Sequence, residues 1–341
     1  MKRATSVLLI ASAAFGSGTL PASAQPSQPI AQIAGPERFL NHLISMAYGE
    51  GGLWLSCHTR SELWFNQEGR TYRIDPRTHE TVATLPCSGQ LAVGEGAVWI
   101  LAGGKQENLH KIDPRTNQVV ASLPVERGLV GQMAVGEGGV WLGGLGGQKI
   151  VRVDPQTLQV IATIPLDHPL VHYATSSIAA GEGSIWLLCS WAHTGLAKHY
   201  VVRIDPRTNQ IVATIPVAMS THLIAVGEGR VWAVEGSPGF VGSPDVTVTQ
   251  INPLTNQVAE KPAALHQGYV ARVAVGMGGL WVLESARTNV LSFLDARTGQ
   301  VKEFPATTTH RLPASLALDG QAIWVGSTAP TGGTVLDRVQ P

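Results

Sequence analysis

The chain has 341 residues, of which 24 are Lys or Arg and 24 are Asp or Glu, so its formal net charge at pH 7 is zero. A neutral chain lacks the concentrated positive charge on which nucleic-acid binding depends, and we expect no nucleic-acid partner. Only 14% of the residues are charged, whereas 38 are Gly and 21 are Pro. This composition is typical of many short strands joined by turns.

The first 24 residues have the features of a secretory signal peptide. Lys2 and Arg3 precede an apolar stretch, and Ala22-Ser23-Ala24 has the small-x-small form of a cleavage site. A membrane anchor is the weaker alternative, because Gly and Pro interrupt an apolar stretch that is shorter than the roughly 20 residues a span needs. We therefore expect a mature domain of residues 25–341 with no membrane span, in the periplasm or secreted.

Two short motifs then alternate along the chain. The first, A-x-G-E-G-x-x-W, occurs as "LAVGEGAVW" before residue 100 and as "IAVGEGRVW" ending at Trp232. The second, D-P-x-T, occurs in "RIDPRTNQIVATIP" at 203–216. Counting looser copies, each motif occurs seven times, and the first ends at Trp54, Trp99, Trp141, Trp186, Trp232, Trp281 and Trp324.

Each motif predicts a β-hairpin, because apolar and β-branched runs flank a Gly-rich turn in the first and an Asp-Pro turn in the second. Four strands per unit, with a Trp every 42 to 49 residues, give the period of a propeller blade. The sequence therefore predicts an all-β, seven-bladed propeller. The last unit supplies only three strands, and we expect residues 28–34 to complete its sheet and close the ring.

The repeat breaks on one face, which we call the top face: it carries the connections between the second and third strands of each blade and those between blades. Units one, four and five have longer second-to-third connections there, at 57–72, 189–200 and 235–249. Loops on a rigid scaffold commonly hold the binding site. The residues that could line a ligand site on this face are Trp64, Trp191, His172, His193, His266, Arg272 and His310. The aromatic residues could equally well cover loop backbone.

The chain has three cysteines. Cys57 and Cys87 both belong to unit one and lie toward the top face, so a disulfide between them is one possibility in an oxidising compartment, with Cys189 left free. The alternative is that all three are buried, unpaired thiols.

The repeated units, from "IAVGEGRVWAVE" to "RIDPRTNQIVATIP", resemble the seven-bladed propellers of the virginiamycin B lyase type and the related YVTN-repeat proteins. The resemblance covers nearly all of the mature chain. It implies a magnesium-assisted site that opens a cyclic ester, with His222, Glu235 and Glu284 as candidate catalytic residues. Within that site, Glu235 and Glu284 are the candidate metal ligands.

Two hypotheses for the function follow. The first is an exported, monomeric propeller that binds a small molecule or a protein partner on its aromatic, His-rich top face and needs no cofactor. The second is a lyase or lactonase that acts on a cyclic ester with Mg²⁺ or another divalent cation.

Overall fold

The computed structural model describes residues 31–33, 41–59, 69–103, 106–126, 129, 131–144, 148–166, 174–193, 196–236, 245–260, 262–267, 269–285, 289–305, 312–328 and 334–341, with backbone alone at some strand ends. This part of the chain forms seven antiparallel sheets of four strands each. The first strands of the sheets contact one another in succession, and the last of them contacts the first, which closes a ring. The prediction of an all-β, seven-bladed propeller is confirmed.

The strands follow the chain in order, apart from the first, which belongs to the last blade. It is β1 (Ala31–Ile33). Blade 1 contains β2 (Asn41–Gly49), β3 (Gly52–Thr59), β4 (Gly69–Ile74) and β5 (Thr81–Leu85). Blade 2 contains β6 (Gln90–Gly94), β7 (Ala97–Ala102), β8 (Glu107–Asp113) and β9 (Gln118–Val125). Blade 3 contains β10 (Gln132–Gly136), β11 (Gly139–Gly143), β12 (Lys149–Val153) and β13 (Val160–Pro165).

The remaining blades repeat this arrangement. Blade 4 contains β14 (Ala174–Gly181), β15 (Ser184–His193), β16 (Leu196–Asp205) and β17 (Gln210–Val217). Blade 5 contains β18 (Thr221–Gly227), β19 (Arg230–Glu235), β20 (Asp245–Ile251) and β21 (Ala263–Gln267). Blade 6 contains β22 (Tyr269–Gly276), β23 (Gly279–Ser285), β24 (Asn289–Asp295) and β25 (Val301–Pro305). Blade 7 contains β26 (Leu312–Leu318), β27 (Ile323–Thr328) and β28 (Thr334–Val339), completed by β1.

The ring closes as the sequence predicts. Ala31, Gln32 and Ile33 of β1 pair with Leu336, Val335 and Thr334 of β28. The rest of the predicted closing segment, 28–30 and 34, lies outside the described residues. None of the described residues forms a helix long and apolar enough to cross a bilayer.

The Gly-Glu-Gly turns have left-handed backbone at two successive positions, as at Glu95 (φ 53°) and Gly96 (φ 76°). This is the geometry of a type I′ turn, which matches the twist of a two-residue hairpin. In the Asp-Pro turns the Asp side chain accepts the backbone N–H two residues later, as Asp113 Oδ1 does from Arg115 at 2.8 Å. Both hairpins thus end at the face opposite the top face, which we call the bottom face.

The seven repeated Trp side chains are all buried, with at most 1% exposed. Each lies on the second strand of its blade, and the Trp54 side chain packs with Leu91 and Val93 of blade 2 in one apolar cluster. Their indole N–H groups are hydrogen-bonded: Trp99 Nε1, for example, donates to Gly94 O at 3.1 Å. Packing between adjacent sheets, together with this bond, explains why one large side chain recurs at one place.

Two sets of polar contacts join the blades near the bottom face. A basic residue on the third strand stacks on the Trp of its own blade and donates to the Asp-Pro turn of the next blade; Arg152, 4.7 Å from the Trp141 ring centroid, donates to Pro206 O and to Asn209 Oδ1. The turn glutamates provide the second set. Glu95, Glu137, Glu182 and Glu228 each accept the backbone N–H of a turn glycine in the following blade, at 3.0 to 3.2 Å. The repeated motifs therefore have a structural role.

Candidate ligand-binding site on the top face

Four of the predicted site residues have described side chains: His222, Glu235, Arg272 and Glu284. They lie on the first or second strands of blades 5 and 6, at the ends that meet the top face. The other predicted site residues fall into two groups. Trp64, His172 and His310 lie outside the described residues, and Trp191, His193 and His266 lie on strands of which only the backbone is described at those positions.

Glu235, the last residue of β19, lies opposite Thr221 on one side and Thr247 on the other. Three hydroxyl groups surround its carboxylate. Thr249 Oγ1 donates to Oε1 at 2.7 Å, while Thr247 Oγ1 and Ser220 Oγ donate to Oε2 at 3.1 and 3.3 Å. Hydrogen bonds of this kind stabilise an ionised carboxylate and fix its orientation.

His222 is displaced from the regular pairing of β18 with β19. The pairing passes from Thr221 opposite Glu235 to Leu223 opposite Val234, so that His222 is the extra residue of a β-bulge. The same irregularity occurs in the first strands of blades 1, 4, 6 and 7, so the bulge belongs to the repeat and blade 5 differs in carrying a His there. His222 is half-buried. Burial, and to a smaller extent the nearby His199, lower its pKa below the ordinary 6.5, so the imidazole is neutral at pH 7.

His199 approaches this bulge from blade 4. The sequence interpretation placed it in a connecting segment, but the structure places it on β16, where it pairs with Ser190 and Val217. Its Nδ1–H donates to the backbone O of Thr221 at 2.8 Å. Sequence reasoning did not select His199 as a site residue, because nothing in its own repeat unit marks the contact, which crosses between two blades.

Blade 6 repeats part of this arrangement with deeper burial. Glu284, at the end of β23, is 1% exposed and accepts a hydrogen bond from Ser292 Oγ on β24. Arg272 follows a second bulge, at Ala271, and is 6% exposed. Its Nη1 donates to Ala271 O at 2.6 Å. Blade 6 therefore has a buried acid and a buried base at the positions near the top face.

The two carboxylates mark where the sevenfold repeat breaks. Glu235 and Glu284 lie three residues after the Trp of their blades, with side chains on the face opposite that of the Trp. The other five blades have small or neutral residues at this position, namely Cys57, Ala102, Gly144, Cys189 and Ser327. Titratable side chains thus collect at the top of blades 4, 5 and 6.

Glu235 and Glu284, the predicted metal ligands, lie on separate blades, and the carboxylate of Glu235 accepts three hydroxyl hydrogen bonds. Within the described part of the chain, no three His, Cys, Asp or Glu side chains come together in a way that could hold a metal ion. A metal site at Glu235 and Glu284 therefore stays a prediction.

The predicted Cys57–Cys87 disulfide is not formed, and both residues are free thiols. Cys57 belongs to the apolar cluster shared with Trp324 of blade 7, and its Sγ lies 3.6 Å from Thr334 Oγ1. Cys87 packs instead against the cluster between blades 1 and 2. The two thiols lie against opposite faces of the blade 1 sheet, and this explains the failure of the prediction.

A shallow depression of about 320 Å³ lies on the bottom face, bordered by Glu50, Lys111, Asp113 and Arg115. It is formed by the repeated turns of blades 1 and 2, so its residues are those that serve the structure elsewhere in the ring. The depression serves as the alternative binding location in experiments that test for a site on the top face.

The comparisons with known proteins show the fold. The chain resembles the crystal structure of BamB from Moraxella catarrhalis, with a TM-score of 0.53, 13% identity, and coverage of 87% of this chain and 85% of that one. The WD40 domain of Pan2 from Neurospora crassa gives a TM-score of 0.63 and 11% identity, over 88% of this chain and 91% of that one. Hydrazine synthase from Kuenenia stuttgartiensis gives a TM-score of 0.66 and 12% identity, over 91% of this chain and 99% of that one. No protein-family model and no curated protein match the sequence.

Proposed function

We propose that the protein is a binding propeller whose top face, over blades 4 to 6, takes up a small polar molecule. One observation carries this proposal: titratable side chains collect where the repeat breaks. They are His199, His222, Glu235, Arg272 and Glu284. Arg272 and Glu284 are buried, and burying an acid or a base costs free energy that an apolar residue would not. The five other blades form the same sheet without an acid three residues after the Trp. The presence of these side chains is explained by a role in recognition.

The chemistry of the site favours a ligand that donates hydrogen bonds. The neutral His222 imidazole can accept one hydrogen bond, and the Glu235 carboxylate has about four acceptor positions, of which hydroxyls occupy three. A hydroxyl or amino group of a ligand would match these acceptors, whereas a carboxylate or phosphate would be repelled by Glu235. The aromatic residues Trp64 and Trp191 would form the apolar walls of the site, as is usual for small-molecule pockets.

The place of action is part of the proposal. Residues 1–24 read as a leader, so we propose that the domain acts as a monomer in the periplasm or outside the cell. A protein partner on the same face would need an exposed aromatic surface, and the residues that would supply it are again Trp64 and Trp191.

The second candidate function is the cyclic-ester lyase or lactonase. The neutral His222 favours it, since an imidazole of lowered pKa is a suitable general base. Among the described residues, no group of three or more His, Cys, Asp or Glu side chains adds support for its metal site. We therefore place binding first.

A thermal-shift panel separates the two candidates. The mature chain is titrated with neutral polyols, amines, carboxylates and divalent cations, alongside H222A and E235Q; E80Q, an exposed residue of blade 1, is the matched control. A ligand that binds only the native state raises its melting temperature. We expect shifts with polyols or amines in the wild type and in E80Q, and none in the site variants. Shifts confined to carboxylates would refute the proposed ligand class, and Mg²⁺-dependent cleavage of a cyclic ester that H222A abolishes would establish the lyase instead.

A further inference from the structure

We propose that His199 is a positioning residue of this site: through its hydrogen bond to Thr221 O it holds the bulge that presents His222 to the ligand as a neutral acceptor. The inference rests on the proposed function, because it assigns a part to a residue of the same site.

The hydrogen bond of His199 lies directly beside the bulge that carries His222. The 2.8 Å contact from His199 Nδ1 to Thr221 O joins blade 4 to blade 5 at the residue immediately before His222. A carbonyl oxygen can only accept, so Nδ1 of His199 carries the donated proton. The bond thus restrains the backbone that carries His222.

The register of β18 with β19 shows that Thr221 is the last regularly paired residue before the bulge. Thr221 is paired with Glu235, and the irregularity begins directly after it. A bulge leaves its extra residue without ladder hydrogen bonds, so the direction of the His222 side chain depends on how firmly its neighbours are held. Thr221 is paired with Glu235 of β19 within the sheet, and its carbonyl accepts the hydrogen bond from His199 of blade 4.

The bulge recurs at the same place in the first strands of blades 1, 4, 6 and 7, and blade 6 shows another way of restraining it. In blade 6 the extra residue is Ala271, and its carbonyl accepts a hydrogen bond from Arg272 of the same strand. Blade 5 has Leu223 in place of that arginine, and the cross-blade hydrogen bond of His199 supplies the restraint there.

The test is an NMR pH titration of the histidine side chains in the mature chain, with the His222 signal assigned by H222Q. H199F keeps the ring but loses the donor, and H199N restores an N–H that can reach the same carbonyl. We expect the pKa of His222 in H199F to rise toward its ordinary 6.5, since a loosened bulge lets water reach the ring, and we expect H199N to return it toward the wild-type value. In the binding assay, H199F should lose roughly tenfold in affinity and H199N less than about threefold.

An unchanged His222 pKa and unchanged side-chain shifts in a folded H199F would overturn the positioning role. An equal change of the His222 pKa in H199F and H199N would also overturn it, because the change could then not come from loss of the hydrogen-bond donor. The titration needs no ligand, so it decides the role of His199 even where no compound binds and the proposed function fails. If H199F does not fold, H199A, which also lacks the donor, takes its place in the comparison with H199N.

Discussion

Replacing Arg152 by Ala tests whether the blades are held together by the contacts described near the bottom face. The guanidinium stacks on Trp141 at 4.7 Å and donates to Asn209 Oδ1 at 2.9 Å, to Gly138 O at 3.0 Å and to Pro206 O. A cation–π contact at a partly exposed site contributes about 0.5 to 1 kcal/mol, and each hydrogen bond about 0.5 to 1.5 kcal/mol net. Together they predict a loss of roughly 2 to 5.5 kcal/mol for R152A.

The assay is the thermal unfolding midpoint by calorimetry, with R115A as the matched control. The Arg115 side chain is 89% exposed and only faces Asp113 in its own turn, at 3.6 Å, and such surface ion pairs contribute little. For a chain of this size about 2 °C is expected per kcal/mol, so R152A should unfold roughly 4 to 11 °C lower and R115A within about 1 °C of the wild type. Equal midpoints for R152A and R115A would refute the argument that the basic residue of the third strand joins neighbouring blades.

Three further predictions concern the interfaces, the histidines and the cysteines. E182A should lower the unfolding midpoint, because Glu182 Oε1 accepts the backbone N–H of Gly229 in the next blade at 3.0 Å; an unchanged midpoint would contradict this. The free energy of unfolding, measured in urea, should fall as the pH drops below 6.5, because His222 is protonated more readily in the unfolded chain than in the folded one. H222Q should reduce that fall. The same pH profile for H222Q and the wild type would argue against it. Burial raises the pKa of Cys57 to about 11 and that of Cys189 to about 12, so a thiol reagent at pH 8 should label neither in the folded protein. In the unfolded protein three thiols per chain should react. If only one thiol reacts, the other two form a disulfide.

The fold could be predicted from the sequence because its determinants are local and repeated. One turn glutamate and one turn aspartate per unit define the hairpins, and the Trp spacing defines the blade. Even the closing strand β1 follows from a count, since the last unit lacks one strand. These signals depend only on residues a few positions apart.

The contacts between blades could not be predicted in the same way. Glu182 accepts the N–H of Gly229 in the next blade, a contact that its own repeat unit does not indicate. The contact of His199 with Thr221 likewise depends on how closely two sheets pack, which no local pattern records. The Cys57–Cys87 prediction failed because it considered the height of the two residues in the blade and not the sheet face each one packs against.

The central claim is that a small polar ligand binds the top face of blades 4 to 6, and NMR mapping of binding tests it most directly. The mature chain, labelled at its backbone amides, is titrated with the polyol or amine that gives the largest thermal shift. The account predicts saturable shifts at His199, His222 and Glu235 and at their strand neighbours, and none near the bottom depression. Shifts centred on Glu50 and Lys111, or no saturable shift at the top face with any compound of the panel, would contradict it.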